Sequence, residues 1–303
     1  MKTLLLTDPL PAAAFADAIA ALAPELNLLS YRADIGNAEL ADVEVVLGWR
    51  LPSGMAARLP KLKWVCSIAA GVEKLLPPDL PARIPVSRIV DVEQAEGIAQ
   101  FVVMMALRHA RALPRYEAQQ QSRQWVRHPV AAVRSRVTVL GMGAAGSVIA
   151  QLLRAVGFEV QGWNRGSRTE NVNDLDSLLQ RSAIVVCALP LTPATQGLLN
   201  ARTLALLPQG GYLINIARGG HVVEADLIAA VRSGQLAGAA LDVQQHEPMP
   251  ADDPLWTVPG ITITPHIAAQ SSMTTIATQF VEGLRALQRG ERLPRLVDRS
   301  AGY

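Results

Sequence analysis

The stretch RVTVLGMGAAGSVIAQLL, residues 136–153, constrains the fold of this chain more than any other part of the sequence. An apolar run typical of a buried strand leads into Gly141, Gly143 and Gly146, and an amphipathic helical pattern follows. In this spacing the first glycine permits a tight turn, the second lets the backbone approach a pyrophosphate, and the third lets helix and strand pack closely. Three glycines alone also occur in purely structural turns. The flanking strand and helix favour a dinucleotide-binding loop.

Regularly spaced apolar runs continue after this loop and predict a doubly wound α/β domain. The six runs are RVTVLG, FEVQGW, AIVVCAL, GYLINIA, GAALDV and ITITPH, and most are separated by helical segments. Strands that alternate with crossover helices form parallel sheets covered on both faces. We expect a dinucleotide-binding domain over residues 94–271.

The N-terminal part of the chain carries a second, shorter series of this kind. KTLLLTD, a helix near residues 12–23, VEVVLGW, LKWVCSI and PVSRIV again predict a parallel sheet. The long helical stretch EQAEGIAQFVVMMALRHARAL follows as a connector, and we expect it to end at Pro114. A last helix, near residues 271–289, is long enough to return to the first domain. We therefore expect a discontinuous domain made of residues 1–93 and 272–303.

Composition and charge exclude several classes of function. Of the 303 residues, 50% are hydrophobic and 18% are charged, which is typical of a folded chain. The 28 basic and 26 acidic residues leave a formal charge of +2, which argues against nucleic acid or a membrane as partner. Asp8 and Pro9 interrupt the apolar N-terminal run, so we interpret it as a first strand rather than a signal peptide. Cys66 and Cys187 lie in strand-like runs and suggest neither a disulfide framework nor a metal site, so we expect a cytoplasmic protein without metal.

The residues after the second of the six strands predict the choice of cofactor. Asn164 stands about 20 residues past the glycines, where an NAD-selective site usually has an acidic residue, and Arg165, Ser167 and Arg168 follow it. An acid would repel the 2′-phosphate of NADP(H), whereas a guanidinium binds it with two hydrogen bonds. The pattern predicts NADPH as the preferred cofactor and NADH as a weaker one. The alternative is that these arginines are solvated loop charges, which contribute little.

Polar residues follow the last three of the six strands. Arg218 follows GYLINIA, Asp242 ends GAALDV, and His266 follows ITITP, while Glu247 lies in the loop after Asp242. In open α/β sheets, ligands bind beyond the carboxyl ends of the strands. We therefore expect these four side chains to converge where the nicotinamide end of a dinucleotide would lie.

Each of these side chains suits a role in hydride transfer to a 2-keto acid. Arg218 has the planar fork that binds a carboxylate, and a histidine such as His266 can donate a proton to a carbonyl oxygen. A neighbouring Glu247 would favour the imidazolium form and orient the ring. Asp242 is interpreted either as a binder of the nicotinamide carboxamide or as a structural partner. In isolation, His266 would be a half-buried packing residue, and Arg218 and Glu247 a surface ion pair.

These motifs resemble those of the D-2-hydroxyacid dehydrogenases and, more narrowly, the bacterial glyoxylate/hydroxypyruvate reductases. The matching segments are SIAAGVEKL, GMGAAG, NIARGGHVVEADL, GAALDVQQHEPMP, TPHIAA and the closing VDRSAGY, which span nearly the whole chain. The resemblance implies an α/β protein with two doubly wound parallel-sheet domains, a flavodoxin-like substrate domain and a Rossmann dinucleotide-binding domain, with the active site in the cleft between them. It implies a homodimer, and it assigns catalysis to Arg218, Glu247 and His266.

The resemblance also implies the binding residues. The substrate would be held by Arg218 and His266, by the backbone amides of Ala70 and Gly71, and by Trp49 as an aromatic wall, unless Trp49 is an ordinary domain-face aromatic. The predicted cofactor-binding residues are Gly141, Gly143, Ala144, Ala145, Gly146, Asn164, Arg165, Ser167, Arg168, Leu189, Pro190, Thr195, Ile216, Ala217, Asp242 and Ala268. Two further residues are candidates for contacts near the active site, namely Trp125, hypothesised to reach the cleft of the partner subunit, and Tyr303.

Two departures from the family pattern concern packing around the site. Ala268 and Ala269 stand where much of the family has a glycine-rich pair after the histidine, and Gln244 replaces the usual phenylalanine. Neither change removes a catalytic group, but both bear on how the cofactor and lid pack.

The expected function is NADPH-dependent reduction of glyoxylate, hydroxypyruvate or a similar small 2-keto acid to a D-2-hydroxy acid. One alternative is a broader reductase that acts on phenylpyruvate-type substrates, which the volume of the pocket would distinguish. The other is a nicotinamide-sensing protein-binding scaffold, which would require a recruiting groove or tail.

Overall fold

Two parallel β-sheets with flanking helices form in the computed structural model, which describes residues 1–8, 10–129, 134–164 and 175–299. The strands in chain order are β1 (Lys2–Leu6), β2 (Asn27–Ser30), β3 (Val43–Gly48), β4 (Trp64–Ser67), β5 (Val86–Ser87), β6 (Arg136–Leu140), β7 (Glu159–Trp163), β8 (Ile184–Cys187), β9 (Gly211–Asn215), β10 (Leu236–Leu241) and β11 (Ile261–Ile263). The helices are α1 (Ala12–Ala20), α2 (Asn37–Leu40), α3 (Val92–Ala110), α4 (Leu113–Gln121), α5 (Ala144–Ala155), α6 (Leu175–Leu179), α7 (Ala201–Leu204), α8 (Glu224–Arg232) and α9 (Met273–Gln288). None of these helices has both the length and the apolar character of a membrane-spanning segment.

The chain divides into two compact units. The first unit is Met1–Val92 with Gln270–Tyr303, and the second unit is Glu93–Ala269. The sequence predicted divisions after residues 93 and 271, close to the divisions after 92 and 269.

The first unit is built on a sheet with the strand order β2-β1-β3-β4-β5, in which every pair is parallel. Helix α9 packs on this sheet, where Phe280 stacks on Trp64 with ring centroids 5.4 Å apart. Gly283 leaves the space for that tryptophan, because a Cβ there would lie 2.6 Å from the ring. The C-terminal helix thus completes the core of the first unit. Strand β2 was not predicted, since its four residues are half-buried or exposed at the sheet edge and show no apolar run.

The expected end of the long connecting helix at Pro114 is wrong. Helix α3 ends at Ala110, Ala112 adopts a left-handed conformation with φ +51°, and α4 begins at Leu113. Pro114 therefore lies in the first turn of α4, where a missing N–H costs nothing because that amide has no partner within the helix.

The second unit contains the six expected strands in the order β11-β10-β9-β8-β6-β7, all parallel. Strands β8 and β9 are buried along their whole length, as expected for strands covered on both faces. From β6 the chain first moves outward to β7 and then crosses back to β8 on the other side. This reversal creates a crevice beyond the carboxyl end of β6, where α/β sheets bind ligands.

Candidate active site

The glycine loop between β6 and α5 closes tightly at two positions and leaves space at the third. Gly141 has φ +98°, and a Cβ there would lie 2.5 Å from the Ala188 carbonyl oxygen. A Cβ on Gly146 would lie 1.7 Å from the Gly141 carbonyl oxygen, so only glycine permits this close packing of helix on strand. In the described part of the chain, nothing lies within 4 Å of a Cβ built on Gly143. The loop therefore fits a dinucleotide, whose pyrophosphate needs open backbone at this position.

The N-terminus of α5 presents backbone donors to the same space. Gly143 is the N-cap residue and supplies no side-chain cap, and Ala144 and Ala145 are the first helical residues. Uncapped amides and the positive end of the helix dipole stabilise a negative charge there. These residues would hold the cofactor's pyrophosphate.

Asn164 follows β7 and is joined to the glycine loop. Its Oδ1 accepts a hydrogen bond from the Met142 N–H at 2.7 Å. Because Oδ1 is engaged in this way, Nδ2 is the atom of the side-chain amide that can donate to a ligand. The residue is exposed, so a ligand can reach it. An asparagine at this position suits a bound phosphate better than an acidic residue would, because a carboxylate repels the phosphate. Arg165, Ser167 and Arg168 lie outside the described residues.

His266 and Glu247 contact each other directly. Nδ1 of the imidazole lies 3.0 Å from Oε2 of the carboxylate. The other oxygen, Oε1, accepts a hydrogen bond from the Gln244 N–H at 3.1 Å, which fixes the carboxylate plane. The side chains of His266 and Glu247 are 33% and 27% exposed, so a small molecule can reach both.

Asp242 holds the segment that carries His266. The His266 backbone has φ +56°, a conformation that costs free energy for any residue but glycine, and its N–H donates to the Asp242 main-chain oxygen at 2.8 Å. The Asp242 side chain accepts three more hydrogen bonds, from Thr264 Oγ1 at 2.6 Å and from the Ile267 and Ala268 N–H groups at 2.9 Å. Asp242 is only 1% exposed. Its contacts are those of the structural partner, one of its two predicted roles.

Arg218 follows β9 and is half-buried. Its carbonyl oxygen accepts a hydrogen bond from Asn215 Nδ2 at 3.0 Å, and its guanidinium Nη1 donates to the Ala217 carbonyl at 2.7 Å. Strands β9, β10 and β11 are neighbours, so Arg218, Asp242 and His266 follow adjacent strands at one edge of the sheet. This is also the edge at which the glycine loop lies, because every strand of the sheet is parallel.

In the first unit, Trp49 follows β3 and is half-buried. Lys74 Nζ lies 5.4 Å from the centroid of its indole ring, which is a cation–π distance. The lysine therefore covers part of the ring.

The loop after β4 contains Ala70 and Gly71 and is shaped by Ser67, which is 0% exposed. Ser67 Oγ accepts a hydrogen bond from the Ala69 N–H at 3.0 Å and donates to the Gly71 carbonyl at 2.9 Å. Within the described ranges, neither the Ala70 N–H nor the Gly71 N–H donates to another backbone group. Two adjacent amides of this kind suit an anionic ligand.

Much of the second unit matches a known family. Residues 103–268 match the family described as D-isomer specific 2-hydroxyacid dehydrogenase, NAD binding domain. The chain belongs to this family. It is therefore an NAD(P)-dependent 2-hydroxyacid dehydrogenase, an oxidoreductase that acts on small 2-hydroxy or 2-keto acids.

Individual dehydrogenases resemble it over nearly their full length. A glyoxylate/hydroxypyruvate reductase A from Serratia proteamaculans is 36% identical over 274 residues, which cover 86% of this chain and 88% of that protein. A protein of the same name from Yersinia enterocolitica is 34% identical over 294 residues and covers 92% of this chain and 93% of its own.

Two solved structures share the whole fold of this dehydrogenase. A D-isomer specific 2-hydroxyacid dehydrogenase from Xanthobacter autotrophicus Py2, in complex with NADPH and MES, has a TM-score of 0.89 at 39% identity and covers 100% of this chain and 99% of its own. An NADPH-dependent glyoxylate/hydroxypyruvate reductase from Sinorhizobium meliloti, in complex with NADP and sulfate, has a TM-score of 0.90 at 30% identity with the same coverage.

The remaining predicted cofactor residues of the dehydrogenase follow β8 and β9. Leu189 and Pro190 come after β8, and Ile216 and Ala217 come after β9. Thr195 is 3% exposed, and its Oγ1 donates to the Pro190 carbonyl at 2.8 Å, so its side chain shapes this loop. All of them lie beyond the carboxyl edge of the sheet, where open α/β sheets bind ligands.

Three buried polar residues of the dehydrogenase were missed as functional candidates, namely Ser67, His221 and Gln244. They are 0%, 0% and 6% exposed. His221 links two predicted site segments, since Nδ1 lies 3.0 Å from the Arg218 carbonyl and Nε2 lies 3.3 Å from the Pro190 carbonyl. What they share in the sequence is polarity close to an apolar strand, which matters because a polar side chain that is buried requires a hydrogen-bond partner.

Cys66 and Cys187 behave as the small buried hydrophobic residues that the sequence predicted. Burial raises the pKa of both thiols to about 12. They are therefore protonated and unreactive at neutral pH.

Trp125 is 93% exposed in the chain, so its indole is available for a contact with another molecule. The contact with a partner subunit stays a prediction. Tyr303 lies outside the described residues.

Proposed function

We propose that this dehydrogenase reduces glyoxylate, hydroxypyruvate or a similar small 2-keto acid to the D-2-hydroxy acid with NADPH. The observation that carries the proposal is the 3.0 Å contact between His266 Nδ1 and Glu247 Oε2, at the edge of the sheet that also carries Arg218. Histidine is the side chain that most often acts as a general acid, and a carboxylate on one ring nitrogen leaves the other nitrogen to act. The relatives named as glyoxylate/hydroxypyruvate reductases support the choice of substrate.

The proton is carried by Nε2 of His266. The Glu247 carboxylate can only accept a hydrogen bond, so Nδ1 keeps its hydrogen directed at that carboxylate. Nε2 is then the atom that gives a proton to the substrate carbonyl oxygen. Glu247 holds the ring in one orientation, and the Gln244 N–H in turn fixes Glu247.

In the second unit, the guanidinium of Arg218 is the group that binds the substrate carboxylate. In the first unit, the adjacent backbone amides of Ala70 and Gly71 are donors suited to the same kind of anion. In the structure, Arg218 Nη1 donates to the carbonyl of Ala217, its own neighbour in the chain, at 2.7 Å. Substrate binding therefore places a carboxylate beside a guanidinium that already has one of its five donors engaged. Trp49 limits the size of the substrate side chain.

The glycine loop, the N-terminal end of α5 and the loops after β8 and β9 would hold the cofactor. When bound, the nicotinamide supplies the hydride for the carbonyl carbon. NADPH is preferred over NADH because Asn164 puts an amide instead of a carboxylate after β7, and the two arginines that follow it in the sequence, Arg165 and Arg168, carry positive charges that would suit a 2′-phosphate. Two similar structures contain NADPH or NADP. A homodimer and a cytoplasmic location complete the proposal.

The test of the catalytic assignment is His266→Gln, assayed with glyoxylate and NADPH. Loss of the acid is expected to lower kcat by about 10²–10⁴-fold, while the Kd for NADPH stays close to that of the wild type. His246→Gln is the matched control, because His246 is an exposed histidine beside Glu247 and is expected to leave kcat unchanged. Turnover by His266→Gln at the wild-type rate would refute the assignment.

The test of cofactor choice is kcat/KM for NADPH and NADH in the wild type and in the double variant Arg165→Ala with Arg168→Ala. We expect kcat/KM for NADPH to fall by about tenfold or more in the variant, since charge-assisted hydrogen bonds are lost, and kcat/KM for NADH to change little. Arg154→Ala removes an exposed arginine on α5 that donates to the Val160 carbonyl and serves as the control. A wild-type preference for NADH contradicts the proposal.

Substrate range is tested with a panel of 2-keto acids of increasing size. We expect kcat/KM to be highest for glyoxylate and hydroxypyruvate and lower for phenylpyruvate. The reverse order would make the chain a broader 2-keto acid reductase, and turnover of no member of the panel would indicate a function in protein binding.

A further inference from the structure

Gln244 lies between Asp242 and Glu247 in the segment that follows β10. It is a polar residue of ordinary surface type, yet it is only 6% exposed. A buried amide that made no hydrogen bonds would destabilise the fold by about 1–3 kcal/mol. The contacts of Gln244 therefore show what it holds in place.

The side chain of Gln244 joins two strand ends. Its Nε2 donates to the Leu241 carbonyl, at the end of β10, at 3.0 Å, and lies 3.4 Å from the Thr264 carbonyl, just past β11. The same Thr264 oxygen accepts the His266 N–H at 3.0 Å. The amide thus ties the end of β10 to the residues on which His266 stands.

The backbone of Gln244 contacts Glu247 and also Gly219, the residue that follows Arg218. Its N–H donates to Glu247 Oε1 at 3.1 Å, while Oε2 of that carboxylate faces His266. Its carbonyl carbon would lie 2.0 Å from a Cβ on Gly219, the residue after Arg218. The segments that carry all three predicted catalytic side chains therefore meet at Gln244.

We propose that Gln244 is a positioning residue that sets the distance and orientation of His266 relative to Glu247, a proposal that rests on the proposed function of His266 as proton donor. Gln244 touches no reacting atom, and it acts through the segments it joins. Displacement of a catalytic group by about 1 Å can lower the rate by about 10²-fold. Loss of the side-chain amide should therefore reduce turnover while the glycine loop, and with it cofactor binding, is unaffected.

The experiment compares Gln244→Met with Gln245→Met in steady-state assays with glyoxylate and NADPH. Methionine keeps the length of the side chain and removes the amide. Gln245 is the matched control, because its Nε2 also donates to a backbone carbonyl, that of Val222 at 2.8 Å, whereas within the described residues its side chain makes no hydrogen bond to Arg218, Glu247 or His266. We expect Gln244→Met to lower kcat by about tenfold to 10²-fold, with the Kd for NADPH within about twofold of wild type. Equal kcat values for the two variants would overturn the proposal.

A double-mutant cycle with Glu247→Gln separates positioning from general loss of stability. If Gln244 acts through Glu247 and His266, then adding Gln244→Met to Glu247→Gln should lower kcat by much less than it does in the wild type. Full additivity of the two effects would overturn the proposal, because a merely destabilising change lowers activity by the same factor in either background.

Two further measurements keep the outcomes distinct. The urea concentration at the midpoint of unfolding shows whether Gln244→Met is folded. If it is not, Gln244→Glu is assayed in its place, because glutamate keeps the shape of the side chain and replaces the Nε2 donor with an oxygen. The same loss of kcat is expected. A Gln244→Glu protein with the turnover of Gln245→Met would overturn the proposal. Wild-type turnover by His266→Gln would instead overturn the proposed function.

Discussion

Asp242→Asn tests whether the conformation of His266 depends on one buried carboxylate. The carboxylate accepts three hydrogen bonds, two on Oδ1 and one on Oδ2. An asparagine has one oxygen, so if it keeps the contacts with Thr264 and Ile267, its NH2 group faces the Ala268 N–H. One charge-assisted bond is lost, and the Ala268 N–H and the new NH2 group, both donors, face each other without an acceptor, which together lower the free energy of unfolding by about 2–4 kcal/mol. The His266 segment then relaxes from its left-handed conformation, and kcat should fall by about 10²-fold.

The measurements are urea unfolding, kcat with glyoxylate, and the Kd for NADPH. Asp226→Asn is the control, because Asp226 Oδ2 accepts one N–H, that of Ala201, at 2.8 Å, and we expect a loss of about 1 kcal/mol or less. Unchanged stability and unchanged kcat in Asp242→Asn would refute the reasoning. A weakened Kd for NADPH without loss of stability would instead favour the other predicted role, a contact of Asp242 with the nicotinamide carboxamide.

Three other variants or conditions test separate parts of the structure. Gly146→Ala places a methyl group against the Gly141 carbonyl, and fluorescence titration should show a Kd for NADPH raised by about tenfold or more, with a loss of about 1–3 kcal/mol in urea unfolding. Burial lowers the pKa of His109 from 6.5 to about 4. The unfolded chain therefore binds a proton at this histidine between these pH values and the folded chain does not, so the contribution of His109 to the free energy of unfolding should be constant above pH 6.5 and fall by up to about 3 kcal/mol as the pH drops to 4, a component of the slope that His109→Gln removes. Ser67→Ala should raise the KM for the keto acid several-fold with little change in kcat, because the loop that contains Gly71 loses two hydrogen bonds; an unchanged KM would argue against that loop as a carboxylate site.

The fold could be predicted wherever a strand is buried on both faces. Such strands are continuous apolar runs in the sequence, as β8 and β9 show. Strand β2 could not be predicted, because Asn27–Ser30 is held at the sheet edge by pairing with β1, and that pairing leaves no periodic pattern in a four-residue segment. The break between α3 and α4 was misplaced for a related reason. It depends on the left-handed backbone of Ala112, a residue that gives no local signal of such a conformation.

The parts of the site that could be predicted are those set by strand order. Adjacent parallel strands end at the same edge of a sheet. The contact between His266 and Glu247 was therefore foreseeable, because His266 follows β11 and Glu247 lies in the loop after the neighbouring strand β10. The hydrogen bonds that the Asp242 carboxylate accepts were not foreseeable. They depend on the turn at His266, which brings the backbone N–H groups of the following residues onto the carboxylate.

The alanines after His266 show why a departure from a family pattern needs a partner elsewhere in the chain. A Cβ on Gly97, in α3, would lie 2.9 Å from the Ala269 Cβ, so the methyl group of Ala269 has room only because residue 97 is glycine. Gln94, one turn earlier on the same helix, places its Nε2 3.4 Å from the Ala269 carbonyl. Helix α3 and the segment after His266 therefore fit each other as a pair, although no motif contains both. A motif shows which side chains the chemistry needs, whereas the space that lets those side chains adopt their positions is set by residues that are distant in sequence.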